Sequence, residues 1–231
     1  MFSFIFVSYS TNITSLINPS VIEYGDRVRI LINMKDIFAS IIPTVAAEKF
    51  IYCLEAVPDV DQEVVTEVVT TLEDIALKQG IASIYKTCDT IEGLEESLNT
   101  LVYDDHNFKD YELIYLIMPG QANNIMLNDY YYSIEEIAEI FEGRMTGKII
   151  HFSNKKALNL TDEESQYFLD VTGARAISGY GSSNSLLSST DTIDRVFFNM
   201  FQENEDFKEV VEEMFQKHYK LCKLLDFRLY Y

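Results

Sequence analysis

The stretch Gly147-Lys148-Ile149-Ile150-His151-Phe152-Ser153-Asn154-Lys155-Lys156-Ala157-Leu158 sets a histidine, a serine, an amide and lysines along an apolar run that ends in a turn. Its first half is apolar and reads as a buried strand. Its second half is a small polar turn, the place where α/β hydrolytic folds carry a nucleophile. The turn offers the hydroxyl of Ser153, the amide of Asn154 and the ammonium groups of Lys155 and Lys156, but no thiol. A lysine there stays protonated, and so is no nucleophile, unless it is desolvated. Ser153 would need a base. His151 lies two residues earlier in the strand and therefore points to the same face, so a Ser153–His151 pair is sterically allowed. The blander reading, and the expected one, is that His151 is a hydrogen-bonded core residue.

The other candidates are weaker. His106 sits in the loop Asp104-Asp105-His106-Asn107, and His218 falls on the apolar stripe of the last helix. Cys53, Cys88 and Cys222 show no CxxC spacing. Cys53 and Cys88 lie inside apolar strand-like runs, so buried, reduced thiols and a reducing compartment are expected. No pair of carboxylates has a spacing that demands a metal, and neither metal nor cofactor is expected.

Alternating elements must position these residues. Phe50 to Leu54 is a continuous apolar run, as for a strand covered on both faces. Val60 to Lys78 carries apolar residues at helical spacing, with Gly80 as its stop. Strands follow at Ile81 to Tyr85, Tyr111 to Met118, Lys148 to Phe152 and Ala174 to Ser178, with a helix from Thr90 to Leu101 between the first two. Asn123-Asn124 and Asn128-Asp129 suggest a small hairpin. Ser133 with Glu136, and Thr161 with Glu164, have capping-box spacing at the starts of two more helices. Asp191 to Gln202 and Phe207 to Leu225 read as closing helices. This order predicts a three-layer α/β sandwich with a mostly parallel sheet over residues 49–231, with function gathered at the carboxyl ends of the strands. Residues 1–48 read as a small N-terminal extension, a β-hairpin with strands at Phe2 to Val7 and Val28 to Asn33 and a helix near Asp36 to Ile42.

Composition narrows the function classes. The chain has 231 residues, 48% hydrophobic and 24% charged, which is that of a folded globular protein. Its formal net charge of −19 repels phosphates, and Lys148, Lys155 and Lys156 are too few for a basic patch, so no nucleic acid partner is expected. Met1 to Val7 is apolar but short, with no Lys or Arg before Arg27, unlike a secretory leader. The run Ile37 to Ala47 is interrupted by Pro43 and too short to span a bilayer. No membrane association and a cytoplasmic location are expected.

Four segments together carry a family resemblance: Lys49 to Glu55, Ile114 to Leu127, Gly147 to Leu158, and Thr172-Gly173-Ala174-Arg175-Ala176-Ile177-Ser178-Gly179-Tyr180. They resemble a bacterial branch of the caspase-like and CHAT cysteine peptidases over about residues 49–203. The resemblance implies a caspase-like fold with a catalytic histidine after the third strand and a cysteine in the turn after the fourth. A thiolate nucleophile needs such a neighbouring imidazole. Matching the segments puts Pro119, followed by Gly120, at the histidine position and Lys155 at the cysteine position. Both catalytic groups are then missing together, which implies a pseudopeptidase acting as an interaction or regulatory module.

Its cleft would be formed by Gly120, Ser153, Asn154, Lys155, Gly179 and Tyr180, receiving an unknown protein or peptide partner, with a basic segment favoured by net charge. Two alternatives stay open. One is an active hydrolase using Ser153 with His151. The other is a small-molecule sensor using the polar loop Gly179-Tyr180-Gly181-Ser182-Ser183-Asn184-Ser185, whose amides could cradle a phosphate. Tyr130-Tyr131-Tyr132 adds a candidate contact surface, since tyrosine brings apolar area with one polar handle.

Overall fold

The computed structural model describes residues 4–6, 50–61, 67–79, 82–153, 158–181, 191–203 and 206–231. They belong to one compact unit comprising Met1–Ser8 and Lys49–Tyr231. The strand expected at Val28 to Asn33 and the helix near Asp36 to Ile42 lie outside the described residues.

A seven-stranded sheet forms the middle layer. Its strands are β1 (Phe4–Phe6), β2 (Phe50–Ala56), β3 (Ala82–Cys88), β4 (Tyr111–Ile117), β8 (Ile149–Phe152), β9 (Ala176–Tyr180) and β10 (Phe227–Tyr230), in the order β1-β3-β2-β4-β8-β9-β10. The five central strands run parallel, and β1 and β10 close the two edges antiparallel. Such a sheet needs cover on both faces, because its central strands are apolar on both: Ile51 to Leu54 and Leu113 to Leu116 are all buried. The cover comes from α1 (Glu67–Gln79), α2 (Ile91–Asn99), α3 (Ile134–Ile140), α4 (Asp162–Thr172), α5 (Asp191–Glu203) and α6 (Phe207–Leu225).

Strand parity divides the core in two. Tyr52, Leu54, Ile114, Leu116, Ile150 and Phe152 face α2, α3 and α4. Ile51, Cys53, Leu113, Tyr115, Ile149 and Tyr180 face α1, α5 and α6. The result is a three-layer α/β sandwich, as the alternation of elements predicts. Among the described residues, no helix is long and apolar enough to cross a membrane.

Local signals set most helix ends. Thr90 caps α2 by accepting from Gly93 N at 3.1 Å. Both capping boxes form, Ser133 with Glu136 on α3 and Thr161 with Glu164 on α4. Gly173, at φ 73°, closes α4. Past Asn99 the helix loosens into a π-type turn over Thr100–Asp104, so the expected end at Leu101 falls inside that turn.

Two strand assignments are corrected. Gly179 and Tyr180, expected in a loop, are the last residues of β9. The strand β10 goes unseen in the sequence because it follows α6 directly: Asp226, at φ 52°, turns the chain without Gly or Pro to mark the break.

A second, three-stranded antiparallel sheet follows β4. It consists of β5 (Gly120–Gln121), β6 (Asn124–Leu127) and β7 (Tyr130–Ser133) in that order. Two-residue turns join them, Ala122–Asn123 with φ 52° and 61°, and Asn128–Asp129 with φ 46° and 64°. These are the left-handed conformations that hairpin turns require, and Asn and Asp tolerate them. Ala122 does not, since its Cβ crowds the following carbonyl at a cost of about 1 kcal/mol. Ala122 is exposed, so glycine there sacrifices no packing. Ala122→Gly is expected to stabilise the protein by about 1 kcal/mol, seen as a higher urea midpoint at unchanged slope.

The hairpin is fastened to the chain after β8. The Asn123 side chain donates to Asn159 O at 3.0 Å and accepts from Asn159 N at 2.7 Å. On either side of Asn159, Leu158 N bonds Tyr180 O at 3.1 Å and Leu160 N bonds the Tyr230 hydroxyl at 3.1 Å.

Candidate functional site

Odd-numbered residues of β4 and β8 and even-numbered residues of β9 point to the face covered by α5. At the carboxyl ends of these strands that face is polar. Tyr115, His151, Ser153, Ser178 and Tyr180 gather there around Asp194 of α5, and all six are buried. Apolar rings enclose the group. His151 lies between Phe197, with ring centroids 4.8 Å apart, and Tyr115, at 5.7 Å.

Asp194 is the acceptor for four of its five companions, Ser178 being the exception. Its Oδ1 accepts from His151 Nε2 at 3.0 Å and from the Tyr180 hydroxyl. Its Oδ2 accepts from the Tyr115 hydroxyl at 2.8 Å and from the Ser153 hydroxyl. Burial alone would push the Asp194 carboxyl up, but the hydrogen bond and attraction of His151, with the bonds from Ser153 and Tyr180, hold it below its ordinary value. The carboxylate is thus ionised and fully engaged. Burial first, and the Asp194 charge second, push the Tyr115 and Tyr180 phenols well up, so both remain neutral donors.

The proton on His151 follows from its partners. A carboxylate only accepts, so Nε2 carries a hydrogen. The other ring nitrogen, Nδ1, lies 2.9 Å from Ser178 Oγ, within hydrogen-bond distance of the serine hydroxyl. Ser178–His151–Asp194 therefore has the connectivity of a hydrolytic triad. Ser178 is nevertheless fully buried in the middle of β9, where no substrate reaches it. Ser153, the member with most solvent exposure at 8%, donates to Asp194 rather than to an imidazole. Among the described contacts, Ser153 and His151 meet through Asp194 and not directly.

Of the other expected site residues, Tyr180 belongs to the Asp194 group, and Pro119, Gly120 and Gly179 do not. Pro119 is exposed just beyond β4, and its carbonyl accepts from Met126 N at 2.6 Å. Gly120 belongs to β5, paired with Ile125. Tyr180 is wholly buried, with its hydroxyl on Asp194, and does not line an open cleft. Gly179 is required where it stands: a Cβ would lie 2.8 Å from Phe152 O and 3.3 Å from Leu158 Cβ. Asn154 and Lys155, and Ser182 to Ser185 of the polar loop, lie outside the described residues.

Lys148 is no part of a basic patch. It is buried, at the opposite end of β8, and donates to Phe108 O at 2.6 Å and Lys109 O at 3.2 Å. His106 is exposed, and α6 kinks at the half-buried His218. No group of ligands suited to a metal ion is present among the described residues.

The partner that sequence reasoning missed is Asp194. It sits in α5, far along the chain from β8, and its one signal is a carboxylate placed just after Ile193 and ahead of Phe197-Phe198 on a strongly amphipathic helix. Three thiols complete the inventory of nucleophiles. All are buried and free, and burial pushes Cys53 well up, Cys88 to about 12 and Cys222 to about 11. None of them is a thiolate at neutral pH.

A model described as a family of unknown function (DUF6642) matches residues 48–231. The chain belongs to this family. The matched region takes in every element from β2 to β10, and with them all six residues of the Asp194 group, whereas β1 lies before it. No curated protein matches the chain.

Proposed function

We propose that this member of the family is a caspase-like scaffold without hydrolytic activity that acts as an interaction or regulatory module. The hydrogen bonding of Ser153 carries the reading. A serine becomes a nucleophile when a base takes its proton in the direction of attack. Here the hydroxyl proton is directed at a carboxylate that already accepts from three other donors and is held low, hence a poor base. The imidazole that could have served has both nitrogens engaged elsewhere.

The cysteines support the same reading, because each thiol is buried and its ionisation suppressed. Unpaired buried thiols also fit a reducing compartment and a cytoplasmic place of action. A partner would be a protein or peptide and not a nucleic acid, given the charge of −19.

A fluorogenic peptide library incubated with micromolar protein tests the proposal. Hydrolysis is expected to match the buffer control for every member. Turnover that disappears in Ser153→Ala would overturn it.

A further inference from the structure

The hairpin after β4 presents a strand edge whose backbone is half-used. Ile134 N donates to Asn123 O at 2.9 Å, and with the register Ile125↔Tyr132 and Leu127↔Tyr130 this makes those pairs the inward hydrogen-bonded ones. Tyr131 and Ser133 then turn their N–H and C=O away from β6. The Ser133 N–H is taken by Glu136 Oε2 at 2.7 Å. The Tyr131 N–H and C=O face outward on the last strand of the sheet, with no strand pairing there among the described residues.

Side chains around that edge share one character. Tyr130 and Tyr131 are 66% and 52% exposed. Asp129 in the turn and Glu135 at the start of α3 bracket the strand, and both are exposed. No Lys or Arg occurs between Lys109 and Arg144, while Glu139 and Glu142 add further exposed carboxylates. An edge with aromatic faces and carboxylates at both ends attracts cations and repels a second copy of an equally acidic strand.

We propose that the free edge of β7 docks an extended Lys- or Arg-bearing peptide segment as a fourth strand. The segment pairs its backbone with Tyr131 and lays its cations against Tyr130, Tyr131, Asp129 and Glu135. This is strand addition, in which main-chain bonds give affinity and alternate side chains give selectivity. It names the site and chemistry of the partner that the interaction-module reading calls for, and it rests on that reading.

Fluorescence anisotropy with the full chain and a labelled peptide of alternating Lys and Thr tests it, with alternating Glu and Thr as the control. The Lys peptide is expected to bind and the Glu peptide not to bind. Tyr131→Pro removes the outward donor without changing charge, and proline is tolerated at such an edge position. It should weaken binding about tenfold or more, as expected for losing a backbone pair and an aromatic contact.

Equal binding to Tyr131→Pro would mean general attraction to an acidic chain and would overturn the proposal. So would absence of binding to the unmodified protein, or a dimer in ultracentrifugation that Tyr131→Pro dissolves. If circular dichroism shows Tyr131→Pro unfolded, Asp129→Asn combined with Glu135→Gln decides: weaker binding supports the docking edge and unchanged binding overturns it. Cleavage of the peptide during the titration would strike the non-catalytic reading instead, and docking would then be measured on Ser153→Ala.

Discussion

Asp194→Asn should destabilise the protein by about 3–5 kcal/mol, the range for breaking a buried charged network by removing one partner. The asparagine has nearly the same shape, so the loss comes from chemistry. In the native chain both carboxylate oxygens accept, two donors each. An amide offers one acceptor oxygen where the carboxylate has two, so the donors facing its NH₂ group lose their acceptor and any hydroxyls among them must redirect their protons; each unmatched buried group costs about 1–3 kcal/mol. Urea unfolding reads the effect as a lower midpoint with an unchanged slope.

The same residue sets a pH signature. The folded Asp194 carboxyl is depressed below its ordinary value of 3.8. Its contribution to stability is therefore full above that value and lost as pH falls through the lower folded one. The stability difference between the native chain and Asp194→Asn should be constant at neutral pH and shrink on acidification below 3.8.

Phe197→Ala is expected to cost about 3–5 kcal/mol, as for other buried phenylalanines cut back to alanine. Phe197 is fully buried and touches the rings of His151, Phe198, Phe207 and Phe227 at centroid distances between 4.8 and 6.0 Å. Its removal opens a hole beside the imidazole and loosens the apolar wall around the Asp194 group. Phe197→Leu leaves a smaller void and should cost less. Thermal unfolding of the two variants against the parent checks the order.

The architecture was largely legible because strand and helix signals in this chain agree with their tertiary environment. Phe50 to Leu54 is apolar on every residue and is covered on both faces, and Ser133, Thr161 and Gly173 mark helix ends that form as their chemistry dictates. Legibility failed where an element depends on a distant partner. Phe227–Tyr230 becomes a strand by pairing with β9, and nothing local separates it from the preceding helix.

The candidate site behaves likewise. Strand alternation alone puts His151 and Ser153 on one face, and the core reading of His151 agrees with its full burial. What the spacing does not contain is the carboxylate between them, because α5 brings Asp194 in from another part of the chain. Without it, Ser153 with His151 looks like a nucleophile and its base. With it, both are donors to a common acceptor.

Fluorophosphonate labelling of the native protein, read by intact mass spectrometry, tests that distinction most directly, since the reagent phosphonylates serines that a base has activated. No adduct is expected on the folded chain. An adduct on Ser153 that Ser153→Ala abolishes would contradict the account.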